Sequence, residues 1–173
     1  RREGVLPGVL SFSETIWACE KGRQWQRAVR VLNEMRGEGL LPDLNSFSAA
    51  ISACKQDGQW KQALKLLNEI RRDGLSLDLT IFNSAISACE RGRQWEQAPF
   101  LLNEMRRENL LPDEISFSVA ISACRRCGQW QRALLLFDEM SWEDVLPDMI
   151  SFSGAISVCE KGGQWQHTLS LLE

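Results

Sequence analysis

Two ladders of polar side chains recur along this chain at a spacing of 35 residues. One reads Ser13, Ser48, Asn83, Ser118 and Ser153, each directly after a phenylalanine. The other reads Lys21, Gln56, Arg91, Arg126 and Lys161, basic at every position but one. Hydroxyls and a carboxamide offer hydrogen-bond donors and acceptors to base edges, and the cations would take phosphates. Together they suit a single-stranded polyanion that carries bases. The chain as a whole has a net charge of -3, so no overall attraction for nucleic acid exists and any such contact must be local. A plainer reading also fits: cations placed just before a glycine turn complement a helix C-terminus. The residues alone leave both standing.

Other reactive residue types carry less. Cysteines recur at 19, 54, 89, 124 and 159 in the same register. Equivalent positions on stacked helices sit roughly 8–10 Å apart, beyond the roughly 7 Å limit for bridging Cα atoms, so these thiols read as small buried hydrophobes. Cys124 and Cys127 form a lone CxxC, and a zinc site would need two further ligands, while the single histidine, His167, lies a full repeat away. No nucleophile–base pair and no cluster of metal-binding carboxylates is visible. The expectation is a protein without a metal, a cofactor or chemistry of its own.

The elements that would carry the ladders follow from the apolar spacing. Phenylalanines fall at 12, 47, 82, 117 and 152 and tryptophans at 25, 60, 95, 130 and 165, without insertion. Phe47, Ala50, Ile51 and Cys54 follow one face of a helix, an arc of about 100°. Asn45, Ser48, Ser52, Lys55 and Gln56 fill a separate polar arc. A glycine turn follows at Gly58, with Gly22, Gly92, Gly128 and the pair Gly162–Gly163 in the corresponding turns. Trp60, Ala63, Leu64, Leu67 and Ile70 then resume helical spacing. Pro42, Pro112 and Pro147 end the second helices, and the aspartate after each can cap the next helix. Each unit is a helical hairpin that cannot cover both apolar faces alone, so hairpins must stack with their polar arcs aligned along one groove. The fold class is all-α, an α-solenoid.

With a hydrophobic fraction of 44% the chain is that of a folded protein, and no stretch approaches the roughly 18 apolar residues of a membrane span. It begins RREGVLPG and stops mid-pattern at LSLLE, which predicts a piece of a longer array, so the absence of a targeting segment carries no meaning. The tryptophan series is in phase with the core. Trp17 is different: it replaces Ser52, Ser87, Ser122 and Ser157, falls on the groove arc and is the aromatic expected to touch a base. Trp142 interrupts the polar end of a second helix. Pro99 sits one turn inside a helix, which predicts a distortion or a late start. Leu77 stands in place of a proline and predicts a looser boundary.

A 35-residue hairpin of this form resembles the pentatricopeptide repeat. The second copy carries the match in Phe47-Ser48, Ile51, Gly58, Ala63-Leu64, the run Leu66-Leu67-Asn68-Glu69-Ile70, and Asp78. The tetratricopeptide repeat, with a period of about 34, opens on a Trp-x-x-Leu-Gly pattern, whereas Trp60 here begins a second helix. The resemblance divides the chain into the end of a preceding repeat at 1–8, repeats at 9–43, 44–78, 79–113 and 114–148, and a partial repeat at 149–173. It implies a right-handed superhelix that binds single-stranded RNA, one nucleotide per repeat, each chosen by two side chains. The pairs are Ser13 with Asp43, Ser48 with Asp78, Asn83 with Asp113, and Ser118 with Asp148, with Ser153 lacking its partner. The family's association of Ser and Asp with guanine, and of Asn and Asp with uracil, implies a preference for 5′-GGUG-3′. Leu10, Ile115 and Ile150 would flank bases, with Asn45 and Thr80 departing from the family's usual valine. Lys21, Arg91, Arg126 and Lys161 would meet phosphates. Organellar RNA processing, stability or translation, in a chloroplast or mitochondrion, is the implied setting, with other RNA-processing factors as partners, no membrane, and a monomeric array. The deaminase domain of some members needs a His-x-Glu and a paired Cys motif, and neither occurs. The competing expectation is a protein-binding scaffold that uses the same concave face.

Overall fold

The computed structural model describes residues 8–161. Gly162, Gly163, Trp165 and His167 lie outside the described residues, as does the side chain of Lys161. The helices are α1 (Val9–Lys21), α2 (Trp25–Gly37), α3 (Leu44–Gln56), α4 (Trp60–Arg72), α5 (Leu79–Arg91), α6 (Gln97–Arg107), α7 (Glu114–Arg126), α8 (Trp130–Trp142) and α9 (Met149–Lys161), with no strand among the described residues. α1, α3, α5, α7 and α9 pack side by side as one layer, and each of α2, α4, α6 and α8 packs between two of them as a second layer. This is an all-α helical-repeat solenoid.

Between the layers lies the core that the spacing predicted. Phe47, Phe82, Phe117, Ile51, Ile86 and Ile121 are fully buried, with Ala63, Leu66, Ile70, Leu101, Met105 and Met140 from the second layer. Alanines at 50, 53, 85, 88, 120 and 123 let neighbouring inner helices approach closely. Trp25, Trp60, Trp95 and Trp130 are half-buried at the edge of this core rather than within it.

Each inner helix after the first is started by an aspartate. Asp43, Asp78, Asp113 and Asp148 each accept a hydrogen bond from the backbone N–H three residues on, at 2.6–2.8 Å. α1 follows Gly8 and has no side-chain cap. The boundary at Leu77 closes like the others: Leu77 packs half-buried against the core, and Asp78 caps Ile81 normally.

Pro99 produces the predicted late start. α6 opens at Gln97, whereas its counterparts open on Trp60 and Trp130, and it has 11 residues instead of 13. Pro99 becomes the third residue of the helix, where no intrahelical partner exists for its missing N–H.

The second layer is tied together by a repeated arginine clamp. Arg36 reaches Glu69 and Asp73, Arg71 reaches Glu104 and Glu108, and Arg106 reaches Glu139 and Glu143. In each case one guanidinium spans two carboxylates a helical turn apart on the next outer helix. The fourth position is Ser141, whose hydroxyl instead donates to the Phe137 carbonyl.

The turns correct one expectation. Gly58 and Gly128 do take the left-handed step after α3 and α7, at φ 64° and 72°. In the first and third repeats it falls one residue later than the glycine, on Arg23 and Arg93, at φ 54° and 56°. In every case the following glutamine N–H closes the turn on the cysteine carbonyl, as with Gln94 onto Cys89 at 2.9 Å. Gly92 is needed for space instead: a Cβ there would sit 2.6 Å from Trp60 Cδ1 and 2.8 Å from the Gly58 carbonyl. Two adjacent substitutions should therefore act in opposite directions. Arg93→Gly relieves a left-handed side-chain conformation and should stabilise by about 1 kcal/mol, whereas Gly92→Ala should destabilise by roughly 1–3 kcal/mol. Urea unfolding midpoints of the two variants against the parent check both signs.

Candidate functional site

Inner helices that share one register leave a continuous polar channel on their exposed side. Its first open pocket, of about 460 Å³, is lined by Trp17, Glu20, Asn45, Ser48, Ser52, Lys55 and Thr80. A second, of about 400 Å³, is lined by Lys55, Thr80, Asn83, Ser87, Asp113 and Ile115. Ser48 and Asn83 thus lie at the channel and not on the outer wall. Leu10, Ile115 and Ile150 are exposed by more than half, despite being apolar, and Asn45 and Thr80 are exposed beside them. Apolar groups held open to solvent in register are surfaces on which a flat base could rest.

The positions expected to read bases are not equally built. Asn83 Nδ2 donates to Asp113 Oδ1 at 3.2 Å, while its Oδ1 accepts from Ser116 Oγ at 2.7 Å. Ser118, buried, donates to Asp148 Oδ1 at 2.8 Å. Ser13 and Asp43 meet only through Ser46: the two serine oxygens lie 2.8 Å apart, and Ser46 donates to Asp43 Oδ1 at 2.6 Å. Ser48 and Asp78 make no hydrogen bond, and Ile81, in the place of Ser46 and Ser116, supplies no bridging hydroxyl. Ser153 is exposed and donates to the Ile150 carbonyl. At Asp113 and Asp148 the helix cap and the contact with the polar side chain of the preceding inner helix are therefore met by the same carboxylate. Sequence reasoning missed the serine three residues after the aspartate; its signal was a polar residue at the third helical position, where a cap receives its partner.

The basic ladder is partly used at helix ends. Gln56 Nε2 donates to the Glu20 carbonyl at 3.2 Å, and Arg91 Nη1 to the Gln56 carbonyl at 3.3 Å, so each closes the C-terminus of the preceding inner helix. Arg126 is half exposed, with its Nε 3.9 Å from Glu90 Oε1. Lys21 is exposed and lies over the Trp17 ring at 5.2 Å. Trp17 itself is 56% exposed at the mouth of the first pocket, and Trp142 is exposed at the end of α8. Two glutamates were not anticipated in the channel. Glu20 accepts from Ser52 Oγ and Glu90 from Ser122 Oγ, each at 2.7 Å.

The thiols stay out of this chemistry. Burial pushes Cys54, Cys89 and Cys124 up to about 12, all six cysteines are free, and no metal-holding cluster forms among the described residues. Half-buried Cys127 donates weakly to the Arg93 carbonyl.

Models of the PPR repeat family match residues 77–126, of the pentatricopeptide repeat domain residues 1–57 and 30–92, and of the PPR repeat residues 115–145. No curated protein matches by sequence. Among solved structures, the maize pentatricopeptide repeat protein PPR10 is similar at 24% identity and a TM-score of 0.77, over 99% of this chain and 25% of that one. PPR10 in complex with an 18-nt psaJ RNA element is similar at 21% identity and a TM-score of 0.79, over 97% of this chain and 25% of that one. The PPR domain of Arabidopsis thaliana protein-only RNase P 1, in complex with tRNA, is similar at 15% identity and a TM-score of 0.80, over 92% of this chain and 84% of that one. The chain spans about a quarter of the length of PPR10.

Asp113 provides a test of the carboxylate network that needs no ligand. Burial pushes its carboxyl up, but hydrogen bonds from Ser116 and Asn83 outweigh this and hold it below the ordinary 3.8. Asp148 is likewise held down by Ser151 and Ser118 against its own burial. A lowered folded value gives stability that is complete above the unfolded value and is lost as pH falls through the folded one. Asp113→Ala should cost about 1 kcal/mol at neutral pH and flatten the loss of stability below pH ~4. Urea midpoints at pH 7 and pH 3, compared with the parent, check this.

Proposed function

Because the chain belongs to the pentatricopeptide repeat family, we propose that its channel binds single-stranded RNA, one nucleotide to a repeat, by occupancy and without chemistry of its own. The observation that carries this is the Asn83–Asp113–Ser116 arrangement. A carboxamide whose donor and acceptor ends are both oriented by neighbours presents one fixed pattern to a base. Exposed Ile115 beside it offers a surface for the base face. Support comes also from PPR10 and the RNase P 1 domain, of like fold, which were solved in complex with RNA.

The proposed preference is 5′-GGUG-3′, read by Ser13 with Asp43, Ser48 with Asp78, Asn83 with Asp113 and Ser118 with Asp148. Discrimination should be sharpest at the third and fourth bases, whose readers are held by a carboxylate. It should be weakest at the second, where Ser48 is not. Bound RNA would be masked from nucleases or remodelled, in organellar RNA processing, stability or translation, with other processing factors brought alongside. A second reading, a protein-binding scaffold, draws on the Glu20 and Glu90 carboxylates that line the same channel.

Fluorescence polarisation with a GGUG-containing oligonucleotide and an oligo-A of equal length tests the RNA reading. The chain should prefer the former, and Ser48→Asn should move the preference at the second base from guanine to uracil by about fivefold, the worth of one hydrogen bond of ~1 kcal/mol. Equal binding to both oligonucleotides would overturn the assigned preference. A partner captured unchanged after ribonuclease treatment, and indifferent to Ser48→Asn, would favour the scaffold.

A further inference from the structure

The residue just before each member of the basic ladder reads Glu20, Lys55, Glu90, Arg125 and Glu160. Its sign reverses from each repeat to the next. Taken with its neighbour, the pair is formally neutral at Glu20–Lys21, Glu90–Arg91 and Glu160–Lys161, and positive at Lys55–Gln56 and Arg125–Arg126. The groove charge therefore has a period of two repeats, twice that of the fold.

The side chains turn this alternation into a difference between junctions. From the first repeat to the second, the channel presents the Glu20 carboxylate, held toward Ser52 at 2.7 Å. From the third to the fourth it presents Glu90, held by Ser122 at 2.7 Å and facing Arg126. At the junction between these two stands Lys55. It is half-buried, lines both groove pockets, and so lies between the Ser48 and Asn83 reading positions. No carboxylate of the described residues pairs with it. Arg125, its counterpart two repeats on, likewise has no ion pair, and its Nε is buried without an acceptor beside a small cavity lined by Gly128, Trp130 and Val158. Arg91, by contrast, already spends an Nη1 proton on the Gln56 carbonyl.

A phosphate placed beside Glu20 or Glu90 would meet a fixed like charge, whereas one beside Lys55 would meet an unpaired ammonium in a partly desolvated site, where attraction is strengthened. We propose that the channel grips the sugar-phosphate backbone of a bound strand at the junction between the second and third repeats, through Lys55, while Glu20 and Glu90 hold phosphate off the junctions on either side. The proposal rests on the RNA reading above and adds to it which linkages are held. Bases would be read at every repeat but the backbone fastened where the junction carries a cation and no carboxylate.

Salt dependence of binding measures phosphate contacts directly: for single strands the slope of log K against log salt changes by roughly 0.7 for each phosphate neutralised. Polarisation titrations of the chain with the GGUG oligonucleotide across a salt series should show Lys55→Gln reducing that slope by roughly 0.7. Glu90→Lys, which makes a third junction positive, should steepen it by a similar amount. Lys65→Gln carries the same charge change on the outer helix α4, where Lys65 is exposed, and should leave the slope as in the parent. A Lys55→Gln slope equal to the parent's, an equal fall in Lys65→Gln, or a flatter slope in Glu90→Lys would each overturn the alternation while leaving RNA binding in place. A parent chain that binds neither this oligonucleotide nor oligo-A would overturn both.

Discussion

At two of the repeat boundaries one carboxylate does two things at once. Asp113 begins α7 by accepting from the Ser116 backbone, and the same Oδ1 accepts from Asn83 on α5. Asp148 does likewise for α9 and Ser118. A helix N-terminus has backbone N–H groups with no intrahelical partner, so the carboxylate is fixed there by the helix itself before any second contact forms. The polar side chain on the preceding inner helix, Asn83 or Ser118, is then positioned against a group fixed by the next repeat. Register along the stack, the start of each helix and the orientation of a polar side chain in the channel are thereby one constraint. The capping box at Asp113 and Ser116 is its fullest form. Ile81 in place of the serine is its weakest, since the cap survives there but the link to Ser48 does not.

The two layers divide the remaining work. Outer helices meet through long side chains, an arginine spanning two carboxylates, whereas inner helices meet through alanines and serines and approach closely. Inner helices pack directly on one another, whereas outer helices pack chiefly against inner ones. Partly exposed ion pairs contribute little stability singly. Their value here is geometric: Arg36, Arg71 and Arg106 reach the same two positions on the next helix and so repeat the same offset.

Most of the fold was legible because a strict period removes ambiguity. Phe47, Ile51 and Cys54 are buried where helical spacing put them, the aspartates cap as their places after the turns implied, and Pro99 delays α6. Turn chemistry was less legible. A glycine in every hairpin turn suggested one turn with one purpose, but Gly58 serves backbone conformation and Gly92 serves clearance from Trp60. Only contact between neighbouring turns tells these apart, and that contact is not local in sequence. The groove was legible as an arc. Spacing on one helix cannot say that Ser13 reaches Asp43 only through Ser46, because that link crosses between hairpins. The same holds for Gln56 and Arg91, whose use on preceding carbonyls depends on how far one hairpin is displaced along its neighbour.

The alternation of turns and the alternation of charge coincide. Repeats with an arginine in the left-handed step, at Arg23 and Arg93, are those that carry Glu20 and Glu90; repeats with Gly58 and Gly128 there carry Lys55 and Arg125. The tightest approach between successive turns, Gly58 against Gly92, joins a repeat of one kind to a repeat of the other. Neither kind of turn alone would place a small residue on both sides of that contact. A glycine one residue earlier in one repeat faces a glycine at the left-handed step of the previous one, and the backbones can touch. Turn type and charge thus share a period of two repeats, 70 residues. Any polymer lying along the inner face would meet a surface whose shape repeats with each hairpin but whose charge repeats only with each pair.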